Sequence, residues 1–261
     1  RLRHGLQHFS VEQFVFSSSL LVQASSEEGQ PINETSPLNA EWDYPKSKLA
    51  AEEVIQKEAK GIPTVILRLA GVYDEDCHSI PISQQIARVY EKQLESYFFP
   101  GDLSCGQSFL HLDDLVACFQ AVVEKRINLP LHSLFIIGEE DLMSYEELQD
   151  KLGLYLHGDQ WPAIRIPKMA AKAGAWIKDQ FSNEEDTPFI KPWMIDLADQ
   201  NYPVCIQHAR EFLEWEPKHQ LRNTLPEITE RLKSDPERWY QINGLPVPEE
   251  LNQEGSAGTR K

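Results

Sequence analysis

The stretch IPTVILRLAGVY, residues 62–73, constrains the fold more than any other part of the chain. It is an almost unbroken apolar run rich in β-branched residues, the pattern of a parallel strand buried on both faces. Such a strand needs a covering layer on each side, so its neighbours in sequence matter. Upstream, DYPKSKLAAEEVIQKEAKG (43–61) has the marks of a helix: Asp43 as N-cap, Pro45 in the first turn, a body of good helix formers and Gly61 as the stop. Earlier still, FVFSSSLLV (14–22) is an apolar run that empties into three serines, the end of a further buried strand. Strand, loop, helix, strand in this order is a βαβ unit and predicts an α/β fold. The connecting loop SSEEGQPINETSPLNAEW is too long for a tight turn, which points to a functional role.

The alternation continues downstream. Residues 81–95 read as helix, SFLHL as a short strand and LHSLFIIG as another buried strand. Between these strands, DDLVACFQAVVEKR is a helix with acids at its positive end and bases at its negative end, and Asp113 and Asp114 are expected to cap it. His111, just before it, is read as structural. SYEELQDKLGLYL opens with Ser144 and Glu147 in capping-box register. From about Trp161 to Tyr240 the pattern is helical with breaks at proline. Arg68, inside a buried strand, requires a partner.

Twenty-five basic against 41 acidic residues leave a net charge of −16, which repels phosphate backbones and anionic membranes. No nucleic-acid partner is expected. No run approaches the ~20 apolar residues of a membrane span, so no membrane partner is expected either. The four cysteines are scattered, without a C-x-x-C pair or a histidine at ligand spacing, a usage that suits a reducing compartment and predicts a cytoplasmic protein. His4 and His8 stand four apart but lack a nearby carboxylate pattern, and no metal site is expected. RLRHGLQHFSVEQ reads as the second half of an amphipathic helix, as though the sequence began inside an element.

Tyr44 and Lys48 carry the chemistry. Four residues apart at the start of a helix, they lie on one face, one turn from each other. A positive charge a few ångströms from a phenol favours phenolate, which lets a tyrosine exchange protons near neutral pH. A serine hydroxyl at a neighbouring strand end could hold a substrate oxygen in line. Together these groups suit proton transfer to a carbonyl and alcohol pair. Eight tyrosines in this composition produce roughly 0.4 Y-x-x-x-K matches by chance, so the motif takes its weight from its place between two buried strands.

FVFSSSLLV, YPKSK, VILRLAGVY and SFLHLDDLV, in this order and spacing, resemble the extended short-chain dehydrogenase/reductase superfamily, of the NAD-dependent epimerase/dehydratase type. FIIGEEDLMSYEEL and HAREFLEWEPKHQLRNTLPEI extend the likeness to about residue 235. The resemblance implies a partial Rossmann-type doubly wound parallel sheet, its N-terminal βαβαβ half missing, with a smaller, mostly helical C-terminal substrate domain. It divides the chain into residues 1–140, with 70–107 partly substrate-side, a substrate-side domain at 141–243 and a disordered tail at 244–261. It further implies catalysis by Ser19, Tyr44 and Lys48, with Tyr44 and Lys48 also binding the cofactor, NAD or NADP. Tyr44 would move the proton, Lys48 would hold the nicotinamide ribose and ease proton loss from the phenol, and Ser19 would orient the reacting oxygen. The implied partners are a small-molecule substrate and a second copy of the chain packed through the Tyr/Lys helix.

Several positions depart from the family pattern. Dehydratases follow the catalytic hydroxyl with an Asp-Glu pair, where this chain has Leu20 and Leu21, which transfer no proton. Sugar-nucleotide epimerases often have an arginine where this chain has Gln107, the usual Tyr-Gly after the serines is Gln23-Ala24, and an asparagine of some members is Gly71. None of the thirteen glycines forms the Gly-rich turn on which a dinucleotide rests. By the resemblance, roughly the first hundred residues of such a fold would precede Arg1. The chain alone is therefore expected to be inactive, either as the site-bearing part of an enzyme or as a non-catalytic binding or assembly relative.

Overall fold

The computed structural model describes residues 9–26, 29–58, 61–169, 171, 200–249 and 251. The readings made for residues 1–13 and 244–261 fall largely outside them. Among the described residues the strands are β1 (Phe14–Ser19), β2 (Thr64–Leu69), β3 (Gly71–Tyr73), β4 (Phe98–Phe99), β5 (Gly106–Gln107), β6 (Phe109–His111), β7 (His132–Ile137), β8 (Met143–Ser144) and β9 (Ile164–Arg165). The helices are α1 (Asp43–Glu58), α2 (Ile80–Tyr90), α3 (Leu112–Glu124), α4 (Tyr145–His157), α5 (Gln207–Leu213), α6 (Leu221–Ser234) and α7 (Pro236–Ile242). They fall into two compact units that interleave along the chain: residues 1–72, 108–142 and 202–220 form one, and 73–107, 143–201 and 221–261 the other.

The first unit is built on a parallel sheet in the order β1-β2-β7, with Ser18 opposite Arg68 and Leu67 opposite Phe135. β2 lies in the middle, and its first five residues are buried, as its apolar run requires. Its side chains alternate between two layers. Val65 and Leu67 join Cys118 and Val122 of α3 and Ala209 and Leu213 of α5 in one core, whereas Arg68 reaches Glu52 of α1. Burial pushes the Cys118 thiol up to about 12 and raises Cys77 as well, which leaves both poor nucleophiles.

The long loop after β1 closes the sheet. Gln23 pairs with Leu38, Ile32 pairs with Val204, and the Glu34 carboxylate accepts the Ile136 N–H of β7 at 2.9 Å. An outward backbone group of the edge strand is thereby satisfied. Segment 202–220 belongs to this unit. Arg210 pairs with Glu140 at 2.7 Å, and the Trp215 indole donates to the Asp114 carbonyl at 3.0 Å.

Two capping expectations are corrected. The first helical hydrogen bond of α1 runs from Lys46 to the Trp42 carbonyl, so Asp43 is the first helical residue and Trp42 holds the cap position. On α3 the cap is His111, whose Nδ1 accepts the Asp113 N–H at 3.2 Å. Asp113 and Asp114 lie in the first turn, where the helix dipole favours a carboxylate without a capping bond. On α4, Ser144 caps as expected and accepts the Glu147 N–H at 3.1 Å.

In the second unit α2 packs on α4, α4 on α6 and α6 on α7, burying Ile82, Ile86, Leu152, Leu225 and Trp239. Pro226 lies inside α6 and does not break it. Burial raises Asp76, but Arg231 at 3.0 Å and Arg238 at 3.4 Å together hold its carboxyl below the usual range. A β-carbon on Gly106 would collide with the Met143 carbonyl of the paired strand. Gly106→Ala is expected to cost about 1–3 kcal/mol, read as a lower denaturant midpoint. Among the described residues no helix is long and apolar enough to cross a membrane.

Candidate active site

The three serines at the end of β1 have different surroundings. The Ser17 carbonyl accepts from Lys48 Nζ at 2.9 Å. Ser18 is buried and its hydroxyl donates to the Glu52 carboxylate. Ser19, 5% exposed, caps the short 3-10 turn Leu20–Val22, its oxygen accepting the Leu21 N–H at 3.2 Å. A hydroxyl has one proton and two lone pairs. The bond from Leu21 uses one lone pair of Ser19, whereas Ser18 has given its proton to a carboxylate.

α1 presents Tyr44, Lys48 and Glu52 at successive turns of one face. Tyr44 is 50% exposed, while Glu52 is 2% exposed. The Lys48 ammonium sits 5.4 Å from the Phe16 ring centroid and 5.6 Å from that of Tyr44, and is tied to the strand end by its bond to Ser17. Tyr44 and Lys48 are thus brought together, and Lys48 bridges them to the residue two before Ser19.

Glu52 is the partner that Arg68 requires, and motif spacing does not single it out. Arg68, 4% exposed, donates to both oxygens of Glu52, through Nε at 3.2 Å and Nη2 at 2.7 Å. The signal was present: an arginine inside an apolar strand, and a glutamate one turn beyond Lys48.

The replaced family positions have structural explanations. Gln23 is fully buried, and its amide donates to the Asn33 carbonyl at 2.8 Å and the Ser36 carbonyl at 3.3 Å, so it staples the loop. A β-carbon on Gly71 would lie 3.0 Å from Cδ1 of Phe109, which leaves little room for the asparagine side chain found in some members. Leu20 belongs to the core. His111, Asp113 and His219 bring potential ligand atoms within 4.8 Å of one another. Their contacts already serve the fold: His111 caps α3 and stacks on His219 with ring centroids 4.1 Å apart, and His219 meets Asp114 at 3.1 Å.

A parallel βαβ sheet with a Tyr/Lys helix beside a serine-ended strand defines a class, and sequence comparison agrees with it. The pattern of the NAD dependent epimerase/dehydratase family matches residues 1–138, more than half of the chain. The chain belongs to that family. Compared with curated proteins, it has no match. Among solved structures it is similar to dTDP-glucose 4,6-dehydratase of Bacillus anthracis in complex with NAD, at TM-score 0.68 and 16% identity, covering 92% of this chain and 68% of that one. UDP-glucose 4-epimerase of Thermotoga maritima with UDP-glucose follows at 0.65 and 19%, covering 90% and 68%. UDP-glucuronic acid 4-epimerase of Bacillus cereus in complex with NAD stands at 0.64 and 18%, covering 89% and 65%. The chain spans about two thirds of the length of these relatives, and at such identities the likeness establishes the Rossmann-type fold.

Proposed function

We propose that this chain supplies the proton-transfer site of an NAD(P)-dependent oxidoreductase or epimerase that acts on a hydroxyl or carbonyl substrate. The observation that carries the reading is the bond from Lys48 to the Ser17 carbonyl, which holds the ammonium beside Tyr44 at the strand end that also bears Ser19. Tyr44 donates a proton to the substrate oxygen on reduction and accepts one on oxidation. Ser19 has a hydroxyl proton with which to hold that oxygen in line. Lys48 has three N–H donors, one of them on Ser17, and the others suit a ribose hydroxyl.

The residues present fit the nicotinamide end of a dinucleotide, through Tyr44 and Lys48. They offer no Gly-rich turn for its pyrophosphate. When bound, the cofactor would supply or take up hydride. The 261-residue chain alone is expected to hold dinucleotide weakly and to turn over nothing. Titration of the chain against NADH and NADPH fluorescence checks this, and a tight one-to-one complex contradicts it.

Leu20 and Leu21 support an assignment without dehydration, since elimination of water needs a further acid and base. Gln107 supports a substrate other than the usual sugar nucleotide, because a neutral amide cannot form the ion pair that an arginine gives to a diphosphate. A protein whose gene encodes no Gly-rich βα turn at all would instead be a non-catalytic relative that uses the scaffold for binding or assembly. The coding sequence upstream of Arg1 separates the two: a Gly-rich βα turn there supports the enzyme.

A further inference from the structure

We infer that the buried Ser18–Glu52–Arg68 cluster is a positioning device for Lys48 and Tyr44. The inference rests on the assignment of those two residues to proton transfer. The cluster joins three elements at one level: Ser18 on β1, Arg68 opposite it on β2, and Glu52 on α1. Glu52 is the next residue along the stripe that carries Tyr44 and Lys48. Fixing its carboxylate by three hydrogen bonds sets the rotation of α1 about its axis and its height along β1. That setting allows Lys48 to reach the Ser17 carbonyl at 2.9 Å and to sit by both rings. Apolar packing has no comparable direction.

Two details argue for placement over simple adhesion. Arg68 Nη1 is buried without a hydrogen-bond partner among the described residues, a cost that an apolar contact in the same space would avoid. In addition, the carboxylate takes the only proton of Ser18, which removes a competing hydroxyl beside Ser19. Glu52, Arg68 and Ser18 thus decide which serine, and which face of α1, meets the substrate.

The test compares the wild-type chain with Ser18→Ala/Glu52→Leu/Arg68→Met, which replaces the cluster by apolar groups of similar size. In chain labelled with 13C-lysine, the ε-protons of Lys48, assigned by Lys48→Arg, are expected upfield of the other lysines because of the Tyr44 and Phe16 rings. In the folded triple variant they are expected to move to the position of the others. In a dinucleotide-binding form of the protein the same variant is expected to lose at least tenfold in kcat with KM little changed. Ser18→Ala alone, which keeps the ion pair, is expected to fold, to shift the Lys48 signal part-way and to lower kcat several-fold. An unmoved Lys48 signal in either folded variant overturns the inference, as does wild-type kcat. Turnover of Tyr44→Phe, measured alongside, tells the failures apart: if it equals wild type, the proton-transfer assignment fails; if it is lost while the triple variant keeps wild-type kcat, only the positioning role fails.

Discussion

Tyr44→Phe in a dinucleotide-binding form of the protein is expected to lower turnover by about 10²–10⁴-fold, the range associated with removal of a general acid or base. The side chain is half exposed and its ring meets the Lys48 ammonium at 5.6 Å, so the substitution removes one hydroxyl and leaves the cation, the helix and the strand end in place. Dinucleotide affinity should change little, because Lys48 keeps its donors and its bond to Ser17. Stopped-flow kinetics with a direct binding titration checks both halves. Loss of kcat with unchanged cofactor binding is the expected result, and wild-type kcat removes Tyr44 from the mechanism.

Glu52→Gln is expected to destabilise the chain by about 3–5 kcal/mol, the cost of leaving one member of a buried ion pair without its counter-charge. Glu52 and Arg68 are both almost fully buried, and solvent offers little screening to either. The amide that replaces the carboxylate could still accept from Arg68 and Ser18 but could not balance the guanidinium charge. The apolar triple variant should recover most of this loss, since a well-packed apolar replacement of a buried pair is often neutral. Urea denaturation of the three proteins measures the difference. A loss below about 1 kcal/mol in Glu52→Gln would place the pair among exposed ion pairs in energetic weight, contrary to its burial.

The sheet and its covering helices were legible because their causes are local. β2 announced itself by a nearly continuous apolar run rich in β-branched residues, and α1 by its helix-forming body. The positions of Tyr44 and Lys48 on one face followed from helical spacing alone. Capping was less legible: Trp42 and His111 took positions that composition assigns to Asp43, Asp113 and Asp114, since a cap depends on which backbone groups the tertiary structure leaves open. The different surroundings of Ser17, Ser18 and Ser19 could not be read either. Ser17 meets Lys48 and Ser18 meets the Glu52–Arg68 pair, partners distant in sequence that arrive only once α1 packs on the sheet. The return of residues 202–220 to the first unit is a long-range event of the same kind, fixed by Arg210 on Glu140 and Trp215 on Asp114.

The strand end and α1 are proposed to serve hydride chemistry at a carbon bearing oxygen. The decisive measurement is the fate of the hydride in a dinucleotide-binding form of the protein, given nicotinamide cofactor deuterated at C4 and a panel of carbonyl compounds, with products read by mass spectrometry. One deuterium is expected on the former carbonyl carbon of the accepted substrate, with Tyr44→Phe forming the labelled product about 10²–10⁴-fold more slowly than the wild type. Product formed without deuterium, or labelled product formed by Tyr44→Phe at the wild-type rate, would contradict this.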